Sequence, residues 1–201
     1  MYCNSEPIIL ASGSPRRIDF LQSLGLEFSV CATAIDEDRN TGESPEDFVR
    51  RMAVEKCRAI SVKNRDSWVI GGDTIVCIDD AILGKPVSAE EAVSMLMRLS
   101  GRVHLVRSSF CVNHEARSLS VSRVVATRVV FGEFSEDVAK SYVAGGESLD
   151  KAGGYGIQGK GTALVKEIQG SYSNVVGLPL FELTATLLQL GVIRPRVVLA
   201  R

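Results

Sequence analysis

The sequence predicts an α/β fold with a mixed central sheet, on three observations. Apolar strand-like runs alternate with amphipathic helical segments, as expected of sheet and helix packed in layers. Between His104 and Phe131 two long strand-like runs flank "NHEA", which brings antiparallel pairing into the middle of the sheet. The 201 residues are 45% hydrophobic, enough for a substantial core, and no internal repeat, low-complexity tract or linker divides them. One domain over 1–201 is expected, with its core over about 7–193 and residues 194–201 as a C-terminal tail.

The elements follow in order. Residues 8–11 (IILA) form a short apolar strand. Ser14 then offers an N-cap and Pro15 a first-turn proline, so a helix runs from about Pro15 to Leu24 and stops at Gly25. "EFSVCAT" reads as a second strand that delivers the chain to the acidic loop "IDEDRNTGE". Ser44-Pro45-Glu46-Asp47 opens a second helix near a capping box, with Phe48, Met52 and Ile60 on one side and Lys56 in the third turn. "SWVIGGDTIVCIDD" is a buried strand that continues through a glycine pair, followed by a turn and "AILGKP". Ser88 caps a helix to about Leu99, and Ser135 starts another that ends near Gly145-Gly146. The glycine-rich "DKAGGYGIQGKG" leads into a strand "TALVKEI", and "SYSNVVGLPLFELTATLLQLG" supplies a loop and the last long helix.

Charge and composition exclude several classes. A net charge of −1 and a pI of about 6.2 leave no broad basic surface for nucleic acid, so any anion site is a local pocket. No apolar run approaches the roughly 20 residues that span a bilayer, and "MYCNSEP" lacks the start of a signal peptide. Five cysteines, an odd number without a CxxC pair, read as reduced thiols of a cytoplasmic protein. With only His104 and His114 to assist, a structural zinc site is not expected.

The chemistry gathers at a few places. In "SGSPRR" a strand delivers the chain to a helix N-terminus, where unpaired amides and the dipole attract anions. Small residues there admit a ligand, and Arg16 and Arg17 add forked donors that match phosphate oxygens. The spacing is not that of a Walker loop. Asp73 follows Gly71-Gly72 inside an apolar run, a costly place for a charge unless it meets a metal, a base or water in a cleft. Asp36 and Glu37 follow another strand, and one or two carboxylates with substrate phosphates are what Mg²⁺ accepts. Lys56 and Lys85 would join the arginines in clamping a triphosphate. Gln158, in the glycine-rich loop, offers an amide to the edge of a base. Each feature alone also has an ordinary reading: a capped helix with solvated arginines, a turn aspartate, an acidic surface loop, surface lysines, a flexible loop.

Taken in order, "LASGSPRR", "AVEKCRA", "GGDTIV", "LGKP", "LSGRVH", "DKAGGYGIQGKG" and "GSYSNVVGLPL" resemble the Maf family of nucleoside triphosphate pyrophosphatases. The resemblance implies a two-lobed α/β structure with a central cleft, similar to the inosine triphosphatase architecture, and a homodimer. It also implies hydrolysis between the α and β phosphates with a divalent cation, Mg²⁺ or Mn²⁺. By the resemblance Asp73 is the general base and shares metal binding with Asp36 or Glu37. Arg16, Thr74 and Gln158 then bear on substrate choice, and Ser14, Arg17, Lys56 and Lys85 complete the phosphate site. The glycine-rich segment looks like the branch acting on dTTP and UTP, in a house-cleaning role that extends to modified pyrimidine nucleotides. Maf proteins are also connected with septum formation, which implies a second reading as a nucleotide-responsive partner in cell division. One block departs from the family: after "SGRVH" the chain reads "LVRSSFCV", with Arg107 and Ser108 where smaller or differently arranged residues are expected.

Overall fold

The computed structural model describes residues 1–79 and 81–196. Among these, a seven-stranded sheet carries the fold. Strand β2 (Ile8–Leu10) lies between β3 (Ser29–Val30) and β4 (Trp68–Ile78) and pairs with both in parallel. The sheet continues from β4 through β6 (Val103–His114) and β7 (Leu119–Phe131) to β8 (Val165–Gln169), every step antiparallel, and β5 (Ala81–Leu83) pairs with the far end of β4. The mixed α/β architecture is therefore the one read from the sequence.

Local chemistry sets most boundaries. Helix α1 (Pro15–Ser23) begins at the expected proline. Helix α2 (Pro45–Ser61) is capped by Ser44, whose hydroxyl accepts from the Asp47 amide, a contact that contributes about 1 kcal/mol. Ser88 and Ser135 do the same for α3 (Ala89–Leu99) and α4 (Glu136–Ala144). A short helix α5 (Tyr172–Val176) precedes α6 (Leu180–Gln189), so the loop expected there is itself partly helical.

Three boundaries differ from expectation. Strand β3 is two exposed residues rather than the run from Glu27 to Thr33, because β2 is short: its register reaches Ser29 and Val30 and ends with the Cys31 amide donating to the Leu10 carbonyl. "TALVKEI" becomes a strand only at Val165; Gly159–Leu164 forms a 3₁₀ turn held against the chain at Gly156. Arg194 and Pro195, assigned to a tail, belong to β9 (Ile193–Pro195), which pairs with β1 (Tyr2–Asn4) in a separate two-stranded sheet. Arg196 follows, its amide donating to the Met1 carbonyl, and residues 197–201 of that expected tail lie outside the described residues.

The sheet buries both faces, and alternation along β4 divides the labour. Trp68 and Ile70 pack with Leu21 of α1 and Leu183 and Leu187 of α6. On the same face, Val76 and Ile78 pack with Ala92, Leu96 and Leu99 of α3 and Ala139 of α4. Gly72 and Thr74 lie between these two cores. Opposite, α2 covers the sheet with Phe48, Val49 and Met52 on Ile75 and Cys77, and with Cys57 and Ile60 near Val69. Along its other edge β4 loses β2 after Ile70 and gains β5 only at Val76, so residues 71–75 border a gap. That gap is the mouth of a cleft.

Candidate active site

The cleft between the two cores has a volume of about 1000 Å³. Its walls come from α1, the loop after β3, β4, the turn after β5, the glycine-rich loop and the end of α5. Ser14, Arg16, Arg17, Glu37, Lys56, Asp73, Thr74, Lys85 and Gln158 all line it.

Asp73 sits at the centre. It is buried within the sheet, and its Oδ1 accepts from Lys56 Nζ at 2.7 Å. The same ammonium reaches Glu37 Oε1 at 2.8 Å. Lys56 and Asp73 side chains are only 12% and 13% exposed, so this pair is little screened by water, whereas Glu37 stands out in solvent. One cation therefore gathers two carboxylates from segments 36 residues apart in chain.

The glycine pair before Asp73 makes this possible by close approach. A Cβ at Gly71 would stand 2.6 Å from the Ala53 carbonyl and 2.7 Å from Cys57 Cβ, so Gly71 lets α2 lie directly on β4 and brings Lys56 to Asp73. A Cβ at Gly72 would stand 3.4 Å from Arg17 Nε, so the second glycine leaves passage for that side chain.

Arg17 is a brace. Its Nε donates to the Gly177 carbonyl at 2.9 Å, Nη1 to Ser12 Oγ at 3.1 Å and Nη2 to Thr74 Oγ1 at 3.2 Å. Burial lowers the guanidinium from its ordinary pKa while the charge of Asp73 opposes that. Thr74 also lies 2.8 Å from Ser108 Oγ and 3.2 Å from the Gly177 carbonyl, and Ser108 donates to the Asn174 carbonyl at 2.8 Å. Ser12, Ser108, Asn174 and Gly177 thus fix the cleft floor; of these the sequence reading singled out only Ser108, as a departure from the family pattern.

The remaining cations differ in engagement. Arg16 Nη1 lies 3.4 Å from Asp150 Oδ2, a contact across the cleft to the glycine-rich loop. Lys151 Nζ donates to the same aspartate at 2.6 Å and to the Glu147 carbonyl at 2.6 Å, tying that loop to itself. Lys85 lines the cleft from its turn.

Two expectations need correction. Ser14 occupies the N-cap position of α1, but its side chain makes no capping bond; its amide donates to Ser12 Oγ instead. Asp36 does not join Glu37 in the cleft. Its Oδ1 accepts from the Asp38 amide at 3.0 Å, a local turn that folds the carboxylate back on its own loop. That loop is held over the site by Arg51 of α2, which donates to Glu43 Oε1 at 2.7 Å, Glu43 Oε2 at 2.8 Å and the Asp38 carbonyl at 2.8 Å. Pairing with Arg51 lowers the Glu43 carboxyl to about 2. The pair joins the loop to the helix across eight residues, a contact that depends on how the loop folds back on α2.

The departure at "LVRSSFCV" divides between two places. Ser108 serves the cleft floor, as above, while Arg107 lines a different cavity. Asp73 and Glu37 are hard oxygen donors that converge on one cation, and no group of three or more His, Cys, Asp or Glu arranged for a metal occurs among the described residues. Such a two-carboxylate set fits a divalent cation completed by phosphate oxygens and water, not a closed protein cage.

Comparisons with known proteins bear on the family. A dTTP/UTP pyrophosphatase of Desulfotalea psychrophila is 55% identical over 193 residues, which cover 96% of this chain and 99% of that protein. A dTTP/UTP pyrophosphatase of Nitratidesulfovibrio vulgaris is 47% identical over 190 residues, covering 94% of this chain and 90% of that protein. Among solved structures, the Staphylococcus aureus Ham1 protein superposes with a TM-score of 0.45 at 15% identity, covering 80% of each chain. The family model described as Maf-like protein matches residues 7–190. The matched stretch takes in every cleft-lining side chain from Ser14 to Gln158, and this chain belongs to the Maf family.

Proposed function

We propose that this protein hydrolyses dTTP and UTP to the nucleoside monophosphate and pyrophosphate. The observation that carries the reading is the meeting of Asp73 and Glu37 at Lys56, inside a cleft also lined by Arg16, Lys85 and Gln158. The names of the Desulfotalea and Nitratidesulfovibrio relatives support the same substrates.

In this reading Asp73 orients a water against the α-phosphorus and takes its proton as the new P–O bond forms. The bond from the α-phosphorus to the bridging oxygen breaks, and pyrophosphate leaves with the electron pair. Arg16 and Lys85 bind the leaving group, whose charge would otherwise oppose departure. Arg16 must then exchange Asp150 for phosphate. Arg17 acts from behind, holding Thr74 and the Gly177 loop at fixed positions. Gln158 presents donor and acceptor to the O4 and N3–H edge shared by uracil and thymine. Asp73 and Glu37 would hold Mg²⁺ or Mn²⁺, which supplies neutralisation of the phosphates and Lewis-acid polarisation when bound.

Among the described residues no helix is long and apolar enough to cross a membrane. The same proposal places the enzyme in the cytoplasm, where its nucleotides are, and takes it as a homodimer on the family resemblance. The test is product analysis with dTTP, UTP and CTP, measuring pyrophosphate apart from orthophosphate. Pyrophosphate from the first two, with CTP poor, is the expected result. Direct release of orthophosphate means cleavage of another bond and overturns the reading.

A further inference from the structure

Arg107 does not line the nucleotide cleft. It lines a second cavity of about 320 Å³ that shares no lining residue with the first. Arg128 of β7 lines it too, together with Cys77, Leu105, Asp79 and Pro45.

The strand register explains how the arginines meet. Leu105 faces Arg128 and Arg107 faces Ala126, so the two arginines are diagonal neighbours on one face of the β6–β7 pair. Diagonal neighbours lie roughly 7–8 Å apart, within reach of one another's long side chains. Both guanidiniums are permanently charged, and like charges so placed repel. Beyond the backbone ladder, neither guanidinium has a hydrogen-bonded or ion-paired partner among the described residues; Arg107 is half-buried and Arg128 exposed. The acid on the rim, Asp79, is already engaged: both its oxygens accept from Arg102 Nη2 at 2.7 Å. Cys77 and Leu105, which also line the cavity, carry no charge.

We infer that Arg107 and Arg128 form a second anion site, separate from the nucleotide cleft, for a compact phosphoryl anion. An oxyanion with several equivalent oxygens relieves the repulsion by accepting forked donors from both sides. A cavity of about 320 Å³ has room for inorganic phosphate or pyrophosphate, while the larger cleft is left to the whole nucleotide. The inference does not depend on the proposed reaction.

The test is an amide-resolved NMR titration of the full chain with inorganic phosphate and, separately, inorganic pyrophosphate. Saturable shifts are expected at Leu105, Arg107 and Arg128, and the tighter of the two ligands identifies the natural occupant. Arg107→Gln and Arg128→Gln, which keep part of the side-chain stem, are each expected to weaken those shifts about tenfold, the effect of losing one charge-assisted hydrogen bond. The amides of Thr74 and Gln158 report the cleft and are expected to titrate alike in wild type and variants. Shifts around Arg107 that fail to saturate overturn the inference. So do shifts that saturate together with the cleft amides and are unchanged in both variants, because these are transmitted from the cleft.

Discussion

Asp73 and Lys56 make separable predictions because in the proposed reaction one is reactive and the other supports it. Asp73→Asn keeps the shape and removes the proton acceptor, so steady-state turnover of dTTP is expected to fall about 10²–10⁴-fold with the fold retained. Near-normal pyrophosphate release by that folded variant contradicts the catalytic assignment. Lys56→Met leaves a buried carboxylate without its counter-ion, a loss of about 3 kcal/mol, or roughly 6–12 °C in Tm by thermal denaturation. Pairing Lys56→Met with Asp73→Asn should recover much of that stability and none of the activity. These two side chains were legible in the sequence as an odd aspartate and an ordinary helix lysine. Their contact was not, since it joins residues 17 apart through a helix-on-sheet packing. Arg17 is a similar case. Its type and place pointed to phosphate, but its partners lie 5, 57 and 160 residues away, and only the fold shows that they occupy it.

The α2–β4 contact is the element on which the site depends. Gly71→Ala inserts a methyl between Ala53, Cys57 and the strand, and the helix backbone has to retreat. A stability loss of about 1–3 kcal/mol is expected, with a drop in activity as Lys56 moves away from Asp73. Gly84→Ala is the control, since nothing lies within 4 Å of the added carbon; its stability should stay within about 0.5 kcal/mol of wild type in chemical denaturation. Equal losses at both positions contradict the packing argument. The sequence showed these elements unequally, for a physical reason. Caps at Ser44, Ser88 and Ser135 act over three residues, so their helices could be read directly. The extent of β3 depends on how much of β2 faces it, and the pairing of β9 with β1 joins distant ends of the chain. Neither leaves a local pattern.

For the whole molecule, acid stability turns on a buried ring. His104 lies inside the core of the α3–α4 side, edge-on to Phe131 and Tyr155, with Nε2 2.7 Å from the Tyr155 hydroxyl and Nδ1 without a partner among the described residues. Burial pulls its pKa from 6.5 to about 4, so the folded state keeps this ring neutral while the unfolded chain takes up a proton. The stability tied to neutral His104 is complete above pH 6.5 and is lost as pH falls towards 4, by about 3 kcal/mol in all. In His104→Phe, denaturation curves across that window should lose one proton's worth of slope. The unpaired Tyr155 hydroxyl adds a penalty that does not vary with pH. An unchanged slope assigns the acid sensitivity elsewhere.

The carbonyl of Gly177 has a mechanical consequence. One oxygen receives both Arg17 and Thr74, so helix α1, strand β4 and the segment leading to α6 meet at a shared vertex. Three walls pinned at one point cannot swing independently. Freedom to move is left to the rim, where the proposed reaction requires the clasp between Arg16 and Asp150 to open for the nucleotide.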